Sequence, residues 1–331
     1  DGLRDTWERN GIDYNKDGVI DLILPGADWK HKDMFVEVDY MTGHEFDDTA
    51  KNMVITAFKN APVQNPDGKT GINLHVDIDE QIPHQNPVKI WDDYDTIKGS
   101  HFGSPDQRAS PDSAEILGAK KLAYRYCLFI HDQAEFNSAS SIWETKTYSG
   151  ISEYPGNDFV VSLGSFTNGK GSVDEQASTF MHELGHALGL GHGGGDDVNY
   201  KPNYLSIMNY AFQFLDPNPY WPLDYSRTQL PDLDEAHLNE PAGIGAEVTG
   251  QMLFTVYSNA TNQTVLSAGF APIDWNGNGH ATDANVSANI NNFPQWDAES
   301  PVNETLRGFD DWKHLNYNFQ REDNFADSVH G

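Results

Sequence analysis

The sequence predicts an α+β protein: a β-sheet with two long helices, followed by a loop-rich C-terminal part. Three observations carry this reading. Four short runs have strand character, by alternation or by unbroken apolar text. Two longer runs place apolar residues at helical spacing. Beyond Gly193 the periodicity fades, and Gly, Pro, Asn and Asp dominate.

The elements follow in order. Residues 1–31 are acidic and turn-rich. Met34-Phe35-Val36-Glu37-Val38-Asp39-Tyr40 alternates and reads as a strand. From Asp47 to Asn60, Met53, Val54, Ala57 and Phe58 share one helical face, and Asp47 and Asp48 suit its N-terminus. Residues 72–78 form a second strand, Tyr124 to His131 a third and Asn157 to Gly164 a fourth. Between the second and third lies a polar excursion, 83–118, with a short helix expected over Pro111 to Lys121. The second long helix runs from Ser172 to Leu190, with Ser172 or Asp174 as its N-cap. This order divides the chain into an acidic N-terminal segment (1–31), a subdomain ending on the second helix (32–192) and an irregular C-terminal subdomain (193–331).

The chemistry is concentrated in His182-Glu183-Leu184-Gly185-His186-Ala187-Leu188-Gly189-Leu190-Gly191-His192. Histidines four apart on a helix project from one face and can share a metal ion. Glu183 stands beside them, where a carboxylate can take a proton from water at the metal. His192 needs a different geometry. On a continuous helix it would lie about 15 Å along the axis from His182, whereas two nitrogens bound to one zinc are at most about 4 Å apart. The helix must therefore end between the second and third histidines, and Gly189 supplies the stop. Three histidines without cysteine suit a catalytic zinc, because a structural site is usually closed by four protein ligands.

These eleven residues resemble the extended zinc signature of the metzincin clan of metallopeptidases, which includes astacins and serralysins. The resemblance implies a twisted mixed sheet, a zinc cleft and a methionine turn downstream. Ser206-Ile207-Met208-Asn209-Tyr210 is similar to that turn, with Met208 as an apolar floor beneath the imidazoles. Tyr210 matches the astacin and serralysin tyrosine that stabilises the tetrahedral intermediate. The resemblance further implies that the last strand before the zinc helix is the antiparallel edge of the sheet and binds extended substrate. That role falls on Phe159, Val160, Val161, Ser162 and Leu163, with Ala211 to Phe214 walling the neighbouring pocket. Gly193 and the glycines after it depart from both families.

Two loops are candidates for calcium. Asp13, Asn15, Asp17, the Val19 carbonyl and Asp21 follow the spacing of an EF-hand loop with Gly18 at its sharp turn, but Leu24 replaces the bidentate acid. Asp274, Asn276, Asn278 and Asp283 form a looser match, and Asp1 to Asp5 resembles half of another loop.

Composition narrows the partners. With 21 Lys+Arg against 50 Asp+Glu, the formal charge is −29. A field of that sign repels nucleic acid and anionic membranes. No apolar run approaches the ~20 residues of a membrane span. The one cysteine, Cys127, excludes an internal disulfide and reads as a buried thiol. Sequons occur at Asn259, Asn262, Asn285 and Asn303. The expectation is a secreted zinc endopeptidase acting on protein or peptide substrates, with zinc on His182, His186 and His192, Glu183 as general base and calcium as a structural ion. The competing readings are a calcium-dependent binding protein with a vestigial zinc site and a zinc hydrolase of non-peptide amides.

Overall fold

A computed structural model describes residues 2–214, 222–245, 254–269, 271–293 and 304–321. Asp1 of the expected half-loop and the sequon at Asn303 lie outside them. The fold is mixed α/β with several sheets, and seven α-helices occur among the described residues. The chain divides into two compact units, Asp1–Gly189 with Asn316–Gly331, and Leu190–Leu315. The expected boundary, after 192 with everything later in one subdomain, differs from this division at both ends.

The first unit starts with α1 (Asp5–Asn10) and continues through β1 (Asp33–Met41), α2 (Asp48–Lys59) and β2 (Asn73–Ile82). The polar excursion then holds β3 (Val88–Lys89), α3 (Asp92–His101), α4 (Pro105–Ala109) and α5 (Ser113–Lys121). β4 (Tyr124–Ile130), β5 (Gln133–Asn137), β6 (Ile142–Lys146), β7 (Gly150–Ser152) and β8 (Asp158–Ser162) precede α6 (Val173–Ala187). The main sheet has the order β2-β1-β4-β8-β7. β1 runs parallel to β2 and β4, β4 parallel to β8, and only β7 is antiparallel to its neighbour.

One expectation fails here, and strand order explains it. Glu37 and Asp39 alternate with apolar residues along β1, yet both are fully buried. β1 is the central strand of a parallel region, and such strands are covered on both faces. Glu37 pairs with Lys120 and accepts from the Gly103 amide at 2.7 Å. Asp39 accepts from the Tyr126 hydroxyl at 2.6 Å. Burial pushes Glu37 up to about 7 and Asp39 up to about 6. Phe159, Val160, Val161, Ser162 and Leu163 were expected on an antiparallel edge. Instead Phe159 to Ser162 lie in β8, which is parallel to β4 and covered on its other side by β7 at Phe159, Val160 and Val161, and Leu163 follows the strand. Ser162 donates its amide to the Ser149 carbonyl at 2.7 Å. No side of this strand is left for a peptide, so the antiparallel edge is β7.

Helix boundaries follow local chemistry. α2 begins where the Asp47 side chain accepts from the Thr49 amide at 2.7 Å. α6 begins on a capping box in which Ser172 and Glu175 satisfy each other's amides. Its Phe180 stacks on Phe46 at 4.8 Å and meets Phe159 edge-on at 5.3 Å, seating the helix on the sheet. Losing such a ring from the core costs about 3–5 kcal/mol. The last described stretch, 316–321, belongs to this unit because its backbone is captured there. The Asn316 amide donates to the Leu188 carbonyl at 2.7 Å, and Arg125 lies 4.7 Å from the Phe319 ring centre.

The second unit has little regular structure: paired β9 (Leu233–Asp234) and β12 (Thr305–Leu306), the hairpin β10 (Phe254–Ser258) with β11 (Thr264–Ala268), and α7 (Asp311–His314). Buried polar side chains stand in for missing ladders. Asp311 accepts from the Tyr204 and Ser206 hydroxyls at 2.8 and 2.5 Å and from the Ser226 amide at 2.9 Å. Glu235 accepts from the Ile290 and Glu304 amides, at 2.7 and 3.0 Å. Asn203 donates to the carbonyls of Pro231 and Leu306 at 2.8 and 2.9 Å. Trp275 and Ile290, both fully buried, sit in the apolar core that these bonds enclose.

Candidate metal centre

α6 carries His182, Glu183 and His186 on its last two turns. The Nε2 atoms of His182 and His186 are 3.1 Å apart and their rings meet edge-on, with centroids 4.7 Å apart. The helix stops at Ala187. Leu188 caps it, and Gly189 takes φ 83°, the left-handed conformation that a helix-ending glycine supplies. The freed carbonyls find partners, since the Gly156 amide donates to Ala187 at 3.1 Å.

Beyond Gly189 the backbone closes a tight turn. The Gly191 and Gly194 amides donate to each other's carbonyls at 2.8 and 2.9 Å, and the Gly193 amide donates to Asp196 at 2.9 Å. Buried Lys201 holds this turn from inside, donating to the Gly193 carbonyl at 2.7 Å and to Asp196 at 3.0 Å. A side chain at 193 would run into the Asp196 carboxylate. The glycines that depart from the astacin and serralysin pattern thus form the turn that presents His192.

Within the eleven-residue stretch, His182, His186 and His192 each offer a ring nitrogen, and these atoms lie within 4.8 Å of one another. Two nitrogens on one tetrahedral zinc are about 3.4 Å apart, close to the spacing of the first pair. The His182 and His186 imidazoles are thus spaced to share one cation, with a His192 nitrogen within 4.8 Å of both. Burial lowers the affinity of His192 for a proton, which favours the neutral ring that ligates metal.

Glu183 is only 4% exposed, and burial pushes its carboxyl well above the usual carboxylate range. A cation beside it opposes that shift. Edge strand β7 runs past this carboxylate. A Cβ on Gly150 would come within 2.6 Å of the Glu183 Oε1 atom and 2.5 Å of the Val160 carbonyl oxygen. Nothing larger than glycine fits there without moving the acid.

Met208 is fully buried, and its amide donates to the Ser206 hydroxyl at 3.2 Å. Asn209 fixes the turn by donating to the Lys201 and Tyr204 carbonyls, at 2.8 and 2.9 Å. Tyr210 is 45% exposed, with its ring centre 4.4 Å from that of His192. Of the expected pocket wall, Ala211 and Phe212 are buried, and Phe212 belongs to the core of the second unit.

The two candidate calcium loops share one curl. Asp13 accepts from the Asp17 and Gly18 amides at 3.1 and 3.0 Å, and Asp274 accepts from those of Asn278 and Gly279 at 3.1 and 2.7 Å. Asn15 and Asn276 each accept from the amide two residues on, at 3.0 and 2.9 Å. Asp17 accepts from the Val19 amide at 2.8 Å. Asp21 accepts from the Tyr14 amide at 2.6 Å, whereas Asp283 accepts from the Asn278 side chain at 2.9 Å. These bonds account for the curl as an Asx-type turn and point to no ion by themselves.

Sequence reasoning missed a second convergence of imidazoles. His44, His84 and His131 also bring ring nitrogens within 4.8 Å of one another. No spacing rule reaches residues so far apart; only the strand order joins them.

No protein-family model matches this chain, and no curated protein matches it. Among solved structures, it aligns with the crystal structure of archaemetzincin (amzA) from Methanopyrus kandleri at 15% identity and a TM-score of 0.29. That alignment covers 61% of this chain and 92% of that one, a likeness too loose to carry an argument. Among the described residues, no helix is long and apolar enough to cross a membrane.

Proposed function

We propose that this chain is a zinc-dependent endopeptidase of the metzincin type, with zinc held by His182, His186 and His192. The observation that supports it most is the convergence of those three nitrogens within 4.8 Å, from a stretch that also carries Glu183. When bound, zinc polarises the scissile carbonyl and lowers the pKa of water toward ~7. Glu183 takes the proton of the attacking water and later delivers it to the leaving amine. Its desolvated carboxylate is a stronger proton acceptor than one in water. Tyr210 donates a hydrogen bond to the oxygen on which negative charge develops. Met208 is the apolar floor of the site, and Ala211 to Phe214 belong to its wall.

Substrate recognition passes to β7 in place of Phe159–Leu163. An extended peptide adds to a sheet edge through backbone hydrogen bonds, and β7 is the edge whose Gly150 abuts the Glu183 carboxylate; there a peptide would displace the Gln133 side chain, which donates to the Gly150 carbonyl at 3.2 Å. The proposal extends to secretion and to structural calcium in the loops 13–21 and 274–283, for which the support is the ligand spacing of the sequence, closer in the first loop than in the second. Nucleic acid is not among the partners, given the charge of −29.

The test is cleavage of unfolded casein by the full chain, with a zinc chelator and with zinc restored. The reading expects hydrolysis that the chelator abolishes and zinc recovers. Cleavage indifferent to chelation, or none by the zinc-loaded chain, contradicts it.

A further inference from the structure

We propose that His44, His84 and His131 form a second metal centre, which takes a divalent first-row transition ion, zinc first among them. The site is a product of sheet topology. β2, β1 and β4 are adjacent and parallel, so their C-terminal ends emerge together, with Met41 opposite Ile82 and Tyr40 opposite Phe129. Each histidine follows one of these ends. His44 closes a four-residue turn by donating its amide to the Met41 carbonyl at 2.8 Å, and Gly43 takes the positive φ of 89° that the turn requires. His84 stands two residues past β2 and His131 directly past β4. The carbonyl of His131 accepts from the Gly164 amide at 2.8 Å, tying this end to the chain beyond β8. Ligands commonly occupy the carboxyl ends of parallel strands for the same reason.

The ring geometry is that of ligands around one ion. An imidazole centroid lies about 3.2 Å from a zinc bound through its nitrogen, so three rings at tetrahedral angles have centroids about 5.2 Å apart. The observed separations are 5.0 Å for His44 and His131, and 5.5 Å for each of them with His84. Nδ1 of His131 faces Nε2 of His44 at 3.2 Å. The other nitrogen of His131 lies 3.6 Å from the Asp132 carboxylate, which in turn accepts from Ser165 at 3.3 Å. A carboxylate behind a ligating histidine, itself held by a hydrogen bond, is the usual outer support of a metal site. His44 is buried, His131 half-buried and His84 exposed, so an ion can enter from solvent. Imidazole donors suit zinc, copper, nickel and iron rather than calcium or magnesium.

This site is independent of the reading of 182–192, and one titration separates them. The full chain, stripped of metal, is equilibrated with low-micromolar zinc and analysed for bound metal, and cobalt absorption reports the ligand field. His84→Ala changes an exposed residue and spares the fold. His182→Ala/His186→Ala removes the other group. The expected contents are two equivalents for the parent chain, one for each variant and none for their combination. Asp132→Asn is expected to weaken the second equivalent by about 10- to 100-fold. His84→Ala retaining as much metal as the parent chain overturns the proposal and leaves a hydrogen-bonded stack of neutral rings. A parent chain with one equivalent, lost in His84→Ala and kept in His182→Ala/His186→Ala, upholds this site and removes the other.

Discussion

The histidines at 182, 186 and 192 come from eleven consecutive residues, whereas those at 44, 84 and 131 come from the ends of three strands. The first pair is set by the pitch of one helix, and the third histidine by one turn that Gly189 and Lys201 hold. The second group exists only once β2, β1 and β4 have taken their register. Two sets of similar donors thus depend on structure at different ranges.

The largest effect that probes this contrast is loss of a first-group ligand. His186→Ala is expected to remove one metal equivalent and to reduce peptide cleavage to background, as read by metal analysis and a peptidase assay. Retained zinc would take His186 out of the ligand set. Next is Gly150→Val, which forces the Glu183 carboxylate or the β7 backbone to move. Displacing a reacting group by ~1 Å costs about 10²-fold, so kcat/KM falls by that order while the metal content stays. An unchanged kcat/KM would mean that β7 does not constrain the acid. Tyr210→Phe is expected to lower kcat and kcat/KM together by about 10- to 100-fold with KM unchanged, less than the ~10²–10³ of a sole oxyanion donor. A rise in KM alone would move Tyr210 from the transition state to substrate binding.

A smaller effect concerns the buried carboxylates that replace secondary structure in the second unit. Burial pushes Asp311 up to about 7 from 3.8. The folded state therefore holds a proton that the unfolded chain releases, and this group's contribution to stability is full below pH 4 and declines up to about pH 7. Denaturation curves at several pH values should show wild type losing stability relative to Asp311→Asn across that window, with a slope of about one proton. A difference independent of pH would contradict the shift. The smallest effect is calcium: a calcium-selective chelator should lower the melting temperature by a few degrees without removing zinc, and Asp17→Ala should blunt the response. Identical melting curves would leave residues 13–21 as an Asx turn.

What was legible in the sequence divides along the same line of range. The four strands, the helices Asp48–Lys59 and Val173–Ala187 and the stop at Gly189 follow from periodicity and caps within a few residues of each feature. Strand order does not. The alternation of β1 gave no sign that Glu37 and Asp39 face inward, because burial on both sides is decided by neighbours distant in sequence. The edge role fell on Phe159–Leu163 through the resemblance, as the last strand before the zinc helix, but β8 lies between β4 and β7, whose three residues are too short to show any periodicity. α3 and α4 were missed in a polar stretch where only capping, such as the Ser104 and Gln107 box, marks a helix. The glycines at 193–195 read as an anomaly until the Lys201 and Asp196 contacts gave the turn its purpose.

Glu183 carries the proposed chemistry most directly, and the decisive measurement is kcat/KM for a peptide substrate with Glu183→Gln beside wild type, both assayed for metal. General-base catalysis alone is worth ~10²–10⁴. Glu183→Gln is expected to lose at least about 10²-fold at unchanged zinc content. Activity within about tenfold of wild type, with zinc retained, would contradict it.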